Sequence, residues 1–311
     1  MSRVLEFDGP IYRATIELAP NIPLHVHLVK GAEYAVWIDS GVKSMFPVLA
    51  TTMAQAGVRD GDLRFILHTH SHHDHIGSNA RIKDKTGCLI AAHPLYAAWH
   101  EDFDRHYQEF ARPFPHLVPD TPALRDEVLS PLDAPRPIDV FIDEGVAFQL
   151  GGGVSLRAIS LPGHMLAELG WLEASTRTLI LGDAITGLDW PLFHSHLSVR
   201  GYRDSLARIR ALIAGEGVGQ VLFAHFAPLP AAEVEGMLQR AERYIDAIEV
   251  TILRLLAESD TVSLEMLWAE TCRRMARVQE FRGLNMVYAH VQDLLERKIA
   301  EQVAPETYRL R

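Results

Sequence analysis

Residues 66–77, ILHTHSHHDHIG, decide how the rest of this 311-residue chain is read. The stretch puts five histidines, His68, His70, His72, His73 and His75, into eight positions beside Asp74. Histidine is a poor helix former and an uncommon core residue, so a cluster this dense points to chemistry rather than packing. Residues 64–67 read as a short buried strand, and Asp74 opens a helical pattern. The turn between them would aim several side chains at one point. Imidazole and carboxylate suit zinc, iron or manganese, and the absence of nearby thiolates argues against a structural zinc finger.

Composition narrows the setting. With 48% hydrophobic residues the chain can bury a large core. Its formal charge of -10 repels phosphate backbones, and no dense Lys/Arg run offsets it, so nucleic acid is not an expected partner. Cys88 and Cys272 lie far apart and make neither a disulfide framework nor a cysteine zinc site. The first residues, MSRVLEFDGPIYRATIELAP, lack a basic segment followed by an apolar run, and no window approaches the roughly 20 apolar residues of a membrane span. A cytoplasmic protein with a small-molecule substrate and no membrane partner is the expectation.

Working outward, residues 24–38 alternate around Lys30-Gly31 as a hairpin, and 44–57 read as a helix. A helix over 76–86 and a strand over 88–92 follow the histidine stretch. Residues 94–137 hold eight of the 17 prolines and many aromatics, which predicts an irregular insertion with short helices, of the kind that forms lids and binding loops. Within it Trp99, Phe103, Tyr107 and Phe110 keep helical spacing, as core residues do. Strand signals return at 146–150, 154–161, 168–173, 178–182 and 220–224, with a helix at 202–215. Two runs of strand-strand-helix rhythm suggest two packed sheets with helices outside. From residue 231 the pattern turns wholly helical, with helices beginning near 231, 263 and 286. Three such helices can resemble a winged-helix DNA binder. Their 11 Lys/Arg against 14 Asp/Glu favour packing over the rest of the chain, or pairing into a homodimer.

Three later segments end apolar strands on metal-capable side chains. LPGHMLAELGWL places His164 on a Pro-Gly turn, LILGDAITG places Asp183 after Gly182, and VLFAHFAPLP places His225. One such residue would be an ordinary turn. Three of them, added to the histidine cluster, exceed the four ligands of a closed structural site and favour a catalytic or dinuclear one.

The series His70-x-His72-x-Asp74-His75, Pro162-Gly163-His164, Gly182-Asp183 and His225 resembles the metallo-β-lactamase superfamily over about residues 10–230. The resemblance implies an α+β fold, a four-layer αββα sandwich over 1–230, with an all-α extension over 231–311. It implies two divalent ions, zinc foremost, with iron or manganese as alternatives. His70, His72 and His164 would hold one, Asp74, His75 and His225 the other, and Asp183 would bridge them. It implies further that water between the cations ionises near neutral pH and attacks a carbonyl, with Asp74 as the catalytic residue that orients it or moves a proton.

Within the superfamily, His72 stands where the oxygen-reducing flavodiiron branch has Glu, and Asp74 is absent from several β-lactamase classes. Lactonases and glyoxalase-II-like thioesterases remain. Met165-Leu166 replaces the Thr and second Gly-His frequent in those enzymes, and Phe226 follows His225 where Gly is usual. Both departures favour an ester, lactone or thioester with an apolar or aromatic acyl part over a glutathione thioester. Trp190, Phe193, His194 and Phe226 are the expected substrate contacts. A mononuclear iron dioxygenase of the persulfide type, and a metal-binding regulator acting through the terminal helices, share the same residues. His68 is expected as a support, His73 at the mouth, and His25 and His27 on one strand face.

Overall fold

The computed structural model describes residues 3–6, 9–185, 193 and 196–311, with side chains from residue 9 on. Its first sheet has seven strands in chain order: β1 (Arg3–Glu6), β2 (Ile11–Ala19), β3 (Ile22–Lys30), β4 (Ala35–Ile38), β5 (Leu63–Leu67), β6 (Leu89–Ala92) and β7 (Val140–Phe141). The β1–β4 half is antiparallel and the β4–β7 half parallel. The second sheet runs β13-β12-β11-β10-β9-β8, from β8 (Ala147–Gly151), β9 (Val154–Ser160), β10 (Leu169–Glu173), β11 (Thr178–Ile180), β12 (Gln220–Leu222) and β13 (Leu229–Pro230).

Three apolar cores stack these layers. Val29, Val36, Ile38 and Leu67 of the first sheet meet Leu156, Trp171, Ile180 and Leu222 of the second. The outer face of the first sheet is covered by α1 (Phe46–Gln55), through Leu49 and Met53, and by Ile82 of α3 (Asn79–Thr86). The outer face of the second is covered by α7 (Val199–Gly215) and the first half of α8 (Ala231–Ala257). This is the expected αββα sandwich. The single helix anticipated over 76–86 is instead two, because α2 (His73–Ile76) stops at Gly77, where an added Cβ would lie 2.4 Å from Pro131 O and 2.8 Å from Gly41 O.

Between β6 and β7 the insertion forms α4 (Ala97–Glu101), α5 (Phe103–Ala111) and α6 (Pro122–Leu129). The segment from 231 on departs from the all-helical expectation. Besides α8, α9 (Leu264–Arg274) and α10 (Phe281–Glu296) it contains β14 (Val262–Ser263), β15 (Ala300–Ala304) and β16 (Thr307–Leu310), ordered β14-β16-β15. Helix, strand, two helices and a hairpin in that order have the connectivity of a winged helix. The strands escape a pattern reading because they are short and only Val262, Ala300 and Tyr308 are buried in them. Helix α10 also starts five residues earlier than its apolar spacing suggests, since the Glu280 carboxylate accepts from the N–H groups of Arg282 and Gly283 and caps it.

Helix α8 spans 27 residues, roughly 40 Å at 1.5 Å per residue. Its second half, with Ile248, Ile252 and Leu256, enters a fourth core that also holds Trp99, Tyr107 and Phe110 of the insertion and Leu267, Leu284, Val287 and Val291 of the extension. Insertion and extension therefore share one core. The extension is also tied to the segment before α7 by the buried pair His196–His290, with Nε2 atoms 2.9 Å apart and His196 stacked on Tyr202.

Burial first, then His164 and Arg203, pushes His196 down to about 3, and burial, His196, Arg203 and Arg297 hold His290 well below its ordinary value. Both are therefore neutral in the fold, while an unfolded histidine takes a proton below about pH 6.5. Stability from this pair is complete above that pH and falls as pH drops from about 6.5 toward 3, each proton contributing a slope of about 1.4 kcal/mol per pH unit. Urea unfolding should show the double variant His196→Phe/His290→Leu gaining on the wild type as pH falls from 6.5 to 4.5. A difference independent of pH would contradict the neutral pair.

Candidate metal centre

Four loops bring the site together at one edge of the sandwich. His68 to His72 follow β5, His164 lies between β9 and β10, Asp183 follows β11 and His225 follows β12. Two glycines make the convergence sterically feasible. Gly163 has φ +152°, and a Cβ there would sit 2.4 Å from the Tyr202 Cα at the start of α7. A Cβ on Gly182 would lie 2.4 Å from Thr69 Oγ1 and 3.1 Å from Glu168 Oε1. Both motifs, Pro-Gly-His and Gly-Asp, thus place their ligand residue by close backbone approach.

The seven side chains named from the sequence come together in two groups: His70, His72, His164 and Asp183, and Asp74, His75 and His225. His72 Nδ1 lies 3.2 Å from His70 Nε2 and 3.0 Å from His164 Nε2, which is 3.5 Å from Asp183 Oδ2. In the other group Asp74 Oδ2 lies 3.3 Å from His225 Nε2 and 3.8 Å from His75 Nε2. Asp183 Oδ1 faces this second group, 3.6 Å from His225 Nε2 and 3.9 Å from His75 Nε2. Ligands about 2.0–2.2 Å from one tetrahedral cation are separated by roughly 3.3–3.6 Å, so both groups have the right size.

Hydrogen bonds behind the rings select the nitrogen that faces inward. Asp39 organises most of them. Its carboxylate accepts from Thr69 N and Thr69 Oγ1, both at 2.8 Å, and from His75 Nδ1 at 2.9 Å. Because the Thr69 hydroxyl donates to Asp39, it accepts from His70 Nδ1 at 3.1 Å, which leaves His70 Nε2 as a lone pair. Pro23 O accepts from His225 Nδ1 at 2.8 Å, with the same effect on His225 Nε2. Converging lone pairs cannot satisfy one another and call for a cation. His75 Nε2 is buried, faces Asp74 and Asp183, and has no hydrogen-bond partner among the described residues.

The electrostatics agree. Burial lowers His75, but Asp74, Asp39 and Asp183 outweigh it and push the imidazole up to about 10. His70 and His72 are held well below their ordinary value, by burial first and then by neighbouring histidines. The carboxylates of Asp39, Asp74 and Asp183 therefore concentrate negative charge at the His75 end, and the nitrogen and carboxylate groups fit divalent metal binding.

Among the other residues singled out, His68 is a support. Its ring bonds Asp39 Oδ1 at 3.3 Å and Asn79 Oδ1 at 3.0 Å. His25 bonds Thr15 Oγ1 across the strand at 2.8 Å, and His27 is buried; neither lines the cavity over the site. His73 does. That cavity, about 360 Å³, has His72, Asp74, His164, Asp183 and His225 in its floor. Its walls are mostly apolar: Leu18, Ala19 and Ile22 of the β2–β3 hairpin, Val42, Phe110 and Pro131, with Glu127 and Arg282 at the rim. Phe193 and Phe226, expected as substrate contacts, are not among the described lining residues. Phe193 is fully buried in the core beneath α10, and Phe226 packs against the core of the second sheet. Trp190 and His194 lie outside the described residues.

Sequence reasoning missed Asp39, Glu168, Phe110 as a wall, and Arg282. Glu168 is fully buried, and its Oε1 accepts from Asp183 N at 2.6 Å. Burial, then Asp183, raises its carboxyl well above the ordinary range. A Glu enclosed by apolar residues in MLAELGW was the one available signal.

Comparison with known proteins follows the same lines. Hydroxyacylglutathione hydrolase of Methylococcus capsulatus is 28% identical over 169 residues, covering 54% of this chain and 52% of that protein, so the chain spans about half the length of this curated relative. A metallo-beta-lactamase family protein from Thermus thermophilus superposes with TM-score 0.74 at 20% identity, covering 97% of this chain and 99% of its own. A beta-lactamase domain protein from Burkholderia ambifaria gives 0.72 at 16% identity, over 99% and 95%. BJP-1, a subclass B3 metallo-beta-lactamase of Bradyrhizobium japonicum, gives 0.58 at 18% identity over 82% and 95%. These structures share the fold, two of them along nearly the whole chain. Residues 23–215 match the metallo-beta-lactamase superfamily, and with the site's seven residues in place on that fold, the chain belongs to it.

Proposed function

We propose that this protein is a dinuclear metal-dependent hydrolase of an ester, lactone or thioester with an apolar acyl part. The observation that carries the reading is Asp183, whose two oxygens face two separate nitrogen sets. A single mononuclear centre leaves Asp74, His75 and His225 without a purpose. When bound, the paired ions supply Lewis acidity and make water acidic enough to ionise near neutral pH. Two zinc ions suit this nitrogen and carboxylate set, with iron or manganese tolerated by it.

The chain's own residues then do the following. His70, His72, His164 and Asp183 hold one side, and Asp74, His75, His225 and Asp183 the other. Asp74, in the cavity floor and partly exposed, can hold a proton at its carboxylate and pass it to a leaving group. Leu18, Ala19, Ile22 and Phe110 exclude water and seat an apolar acyl group. The likeness to hydroxyacylglutathione hydrolase supports a thioester within this class. Glu168, as a neutral carboxyl on Asp183 N, fixes the loop that carries the bridging residue.

Metal analysis and turnover of a panel of apolar acyl esters, lactones and thioesters test the proposal. The wild type should bind two divalent ions per chain, and Asp183→Ala should lose at least one of them and at least a hundredfold in kcat/KM. Unchanged turnover in that variant overturns the reading.

Loading should also release protons. At pH 7–8 His75, with its pKa near 10, carries a proton that a cation at Nε2 must displace. Calorimetric titration of chelator-treated protein with zinc, in buffers of different ionisation enthalpy, should show net proton release that shrinks as pH rises toward 10. Zero release at pH 7 would refute a charged His75.

Substitution at Glu168 separates charge from shape. Glu168→Gln keeps an acceptor for Asp183 N and no charge, so metal affinity should stay within a fewfold of wild type. Glu168→Ala leaves that buried N–H unpaired, and affinity should fall about 10- to 100-fold. Equal losses in both variants would show that the carboxyl acts as an anion.

A further inference from the structure

Hydrogen bonds stand behind three of the histidines at the metal centre. His70 Nδ1 bonds Thr69 Oγ1 at 3.1 Å, His75 Nδ1 bonds Asp39 Oδ2 at 2.9 Å, and His225 Nδ1 bonds Pro23 O at 2.8 Å. His72 is held differently. Its Nδ1 faces His70 and His164, while its Nε2 is buried and has no hydrogen-bond partner among the described residues. A metal-binding imidazole is ordinarily oriented by a bond to its second nitrogen. Packing stands in for that bond at His72, whose ring lies 4.4 Å from the Phe110 ring of α5.

The backbone under this ring is held from the same side. Ser71, between His70 and His72, is buried, and its hydroxyl lies 3.0 Å from Nε2 of His100 on α4. His100 is itself buried, and its carbonyl accepts from Arg136 N at 2.9 Å, which ties α4 to the far end of the insertion. Further along the same stretch, Asp133 N of the insertion donates to Gly77 O at 3.0 Å. The histidine stretch is thus gripped from two sides. The sandwich holds Thr69 and His75 through Asp39, and the insertion holds Ser71, His72 and Gly77.

We infer that the insertion positions His72, with His100 as its positioning residue: through Ser71 it fixes the backbone that carries the ring, while Phe110 fixes the ring itself. This deepens the proposed dinuclear reading and rests on it. His72 belongs with His70, His164 and Asp183, whereas Asp74, His75 and His225 form the other group. Loosening His100 therefore weakens one metal group and spares the other, which a general loss of stability does not do.

Two readouts test it. The first needs no metal. His75 N and Ile76 N donate to His72 O at 2.9 and 3.2 Å, so their amide exchange in chelator-treated protein reports opening of this segment. His100→Leu leaves the Ser71 hydroxyl buried and unpaired, and the milder Ser71→Ala removes the same bond from the other side. Each should speed exchange of these two amides about fivefold or more, with the amides of β10 unchanged. His100→Gln, which can still bond Ser71, should restore wild-type exchange. The second readout is zinc affinity by competition with a chromophoric chelator, in two backgrounds. His225→Ala cripples the Asp74–His75 group, and there His100→Leu should cost about tenfold in affinity. His164→Ala cripples the His70–His72 group, and there the same change should stay within about twofold. Equal weakening in both backgrounds, or exchange unchanged in both His100→Leu and Ser71→Ala, overturns the positioning role. If no ester is hydrolysed but both patterns hold, the hydrolase reading fails and the role of His100 stands.

Discussion

Two backbone hydrogen bonds stitch the two sheets together at one edge, and the site depends on them. Leu169 N donates to Thr69 O at 2.8 Å, and His25 N donates to Ala224 O at 2.7 Å. Each joins a strand or loop of the first sheet to one of the second, beside a residue of the site: Thr69 precedes His70, and Ala224 precedes His225. A second seam lies at the β3–β4 turn, where Glu33 N donates to Leu150 O at 2.9 Å, and between the two seams the side chains of the shared core hold the sheets apart. Where they close, four loops can deliver seven ligand side chains to two points. Gly163 and Gly182 belong to the same constraint, because a side chain at either would push its loop off the neighbouring backbone or hydroxyl.

That geometry concentrates charge the fold must neutralise. Asp39, Asp74 and Asp183 are all drawn toward His75, and Asp39 is buried outright. Burial alone would raise the Asp39 carboxyl; His75, with hydrogen bonds from His68 and His75, holds it well below the usual range instead. Asp39 sits at φ +64°, a left-handed conformation that a short polar side chain tolerates, and its carboxylate repays this by accepting from Thr69 and His75 together. Glu168, close behind Asp183, is shifted the other way, by burial and then by Asp183. Two buried carboxyls beside the same site thus move in opposite directions, according to whether an imidazole or another carboxylate is the nearer neighbour.

What the sequence made legible follows from range. The candidate metal-binding residues sit in short motifs at strand ends, and strand ends are visible as the close of an apolar run; the seven that gather in the fold could be named before any contact was known. The sandwich was readable from its apolar strand runs and helical spacing, although β7 and β13, of two residues each, left no pattern. Asp39 lies one residue past the hairpin read over 24–38 and shows no local signal, because its role needs partners 30 and 36 residues away. Arg282 and Phe110 meet in one pocket from positions far apart in the chain, and no local pattern carries that. The start of α10 is set by the Glu280 cap rather than by apolar spacing, and its first turn includes Gly283. In the fold it is where the helix presses on Phe193 and Cys272, with 3.0 and 3.2 Å left for a Cβ. Phe226, expected at the metal edge, turns into the core of the second sheet beside Phe223, so the apolar character of the pocket comes from the β2–β3 hairpin and α5 instead.

The extension shows why connectivity alone does not assign a role. Its helix-strand-helix-helix-hairpin order is that of a winged helix, in which the second helix of the closing pair would present its face to a groove of DNA. Here that helix is α10, and ten of its 16 residues are buried. Its apolar face lies in the shared core, Asn285 is bonded to α5, His290 is bonded to His196, and Arg282 is held by Glu127 and Glu280 at the rim of the metal pocket. Helix α10 spends that face on the shared core and reaches the metal pocket through Arg282, while α8, long enough to belong to two cores at once, fastens the extension to the second sheet.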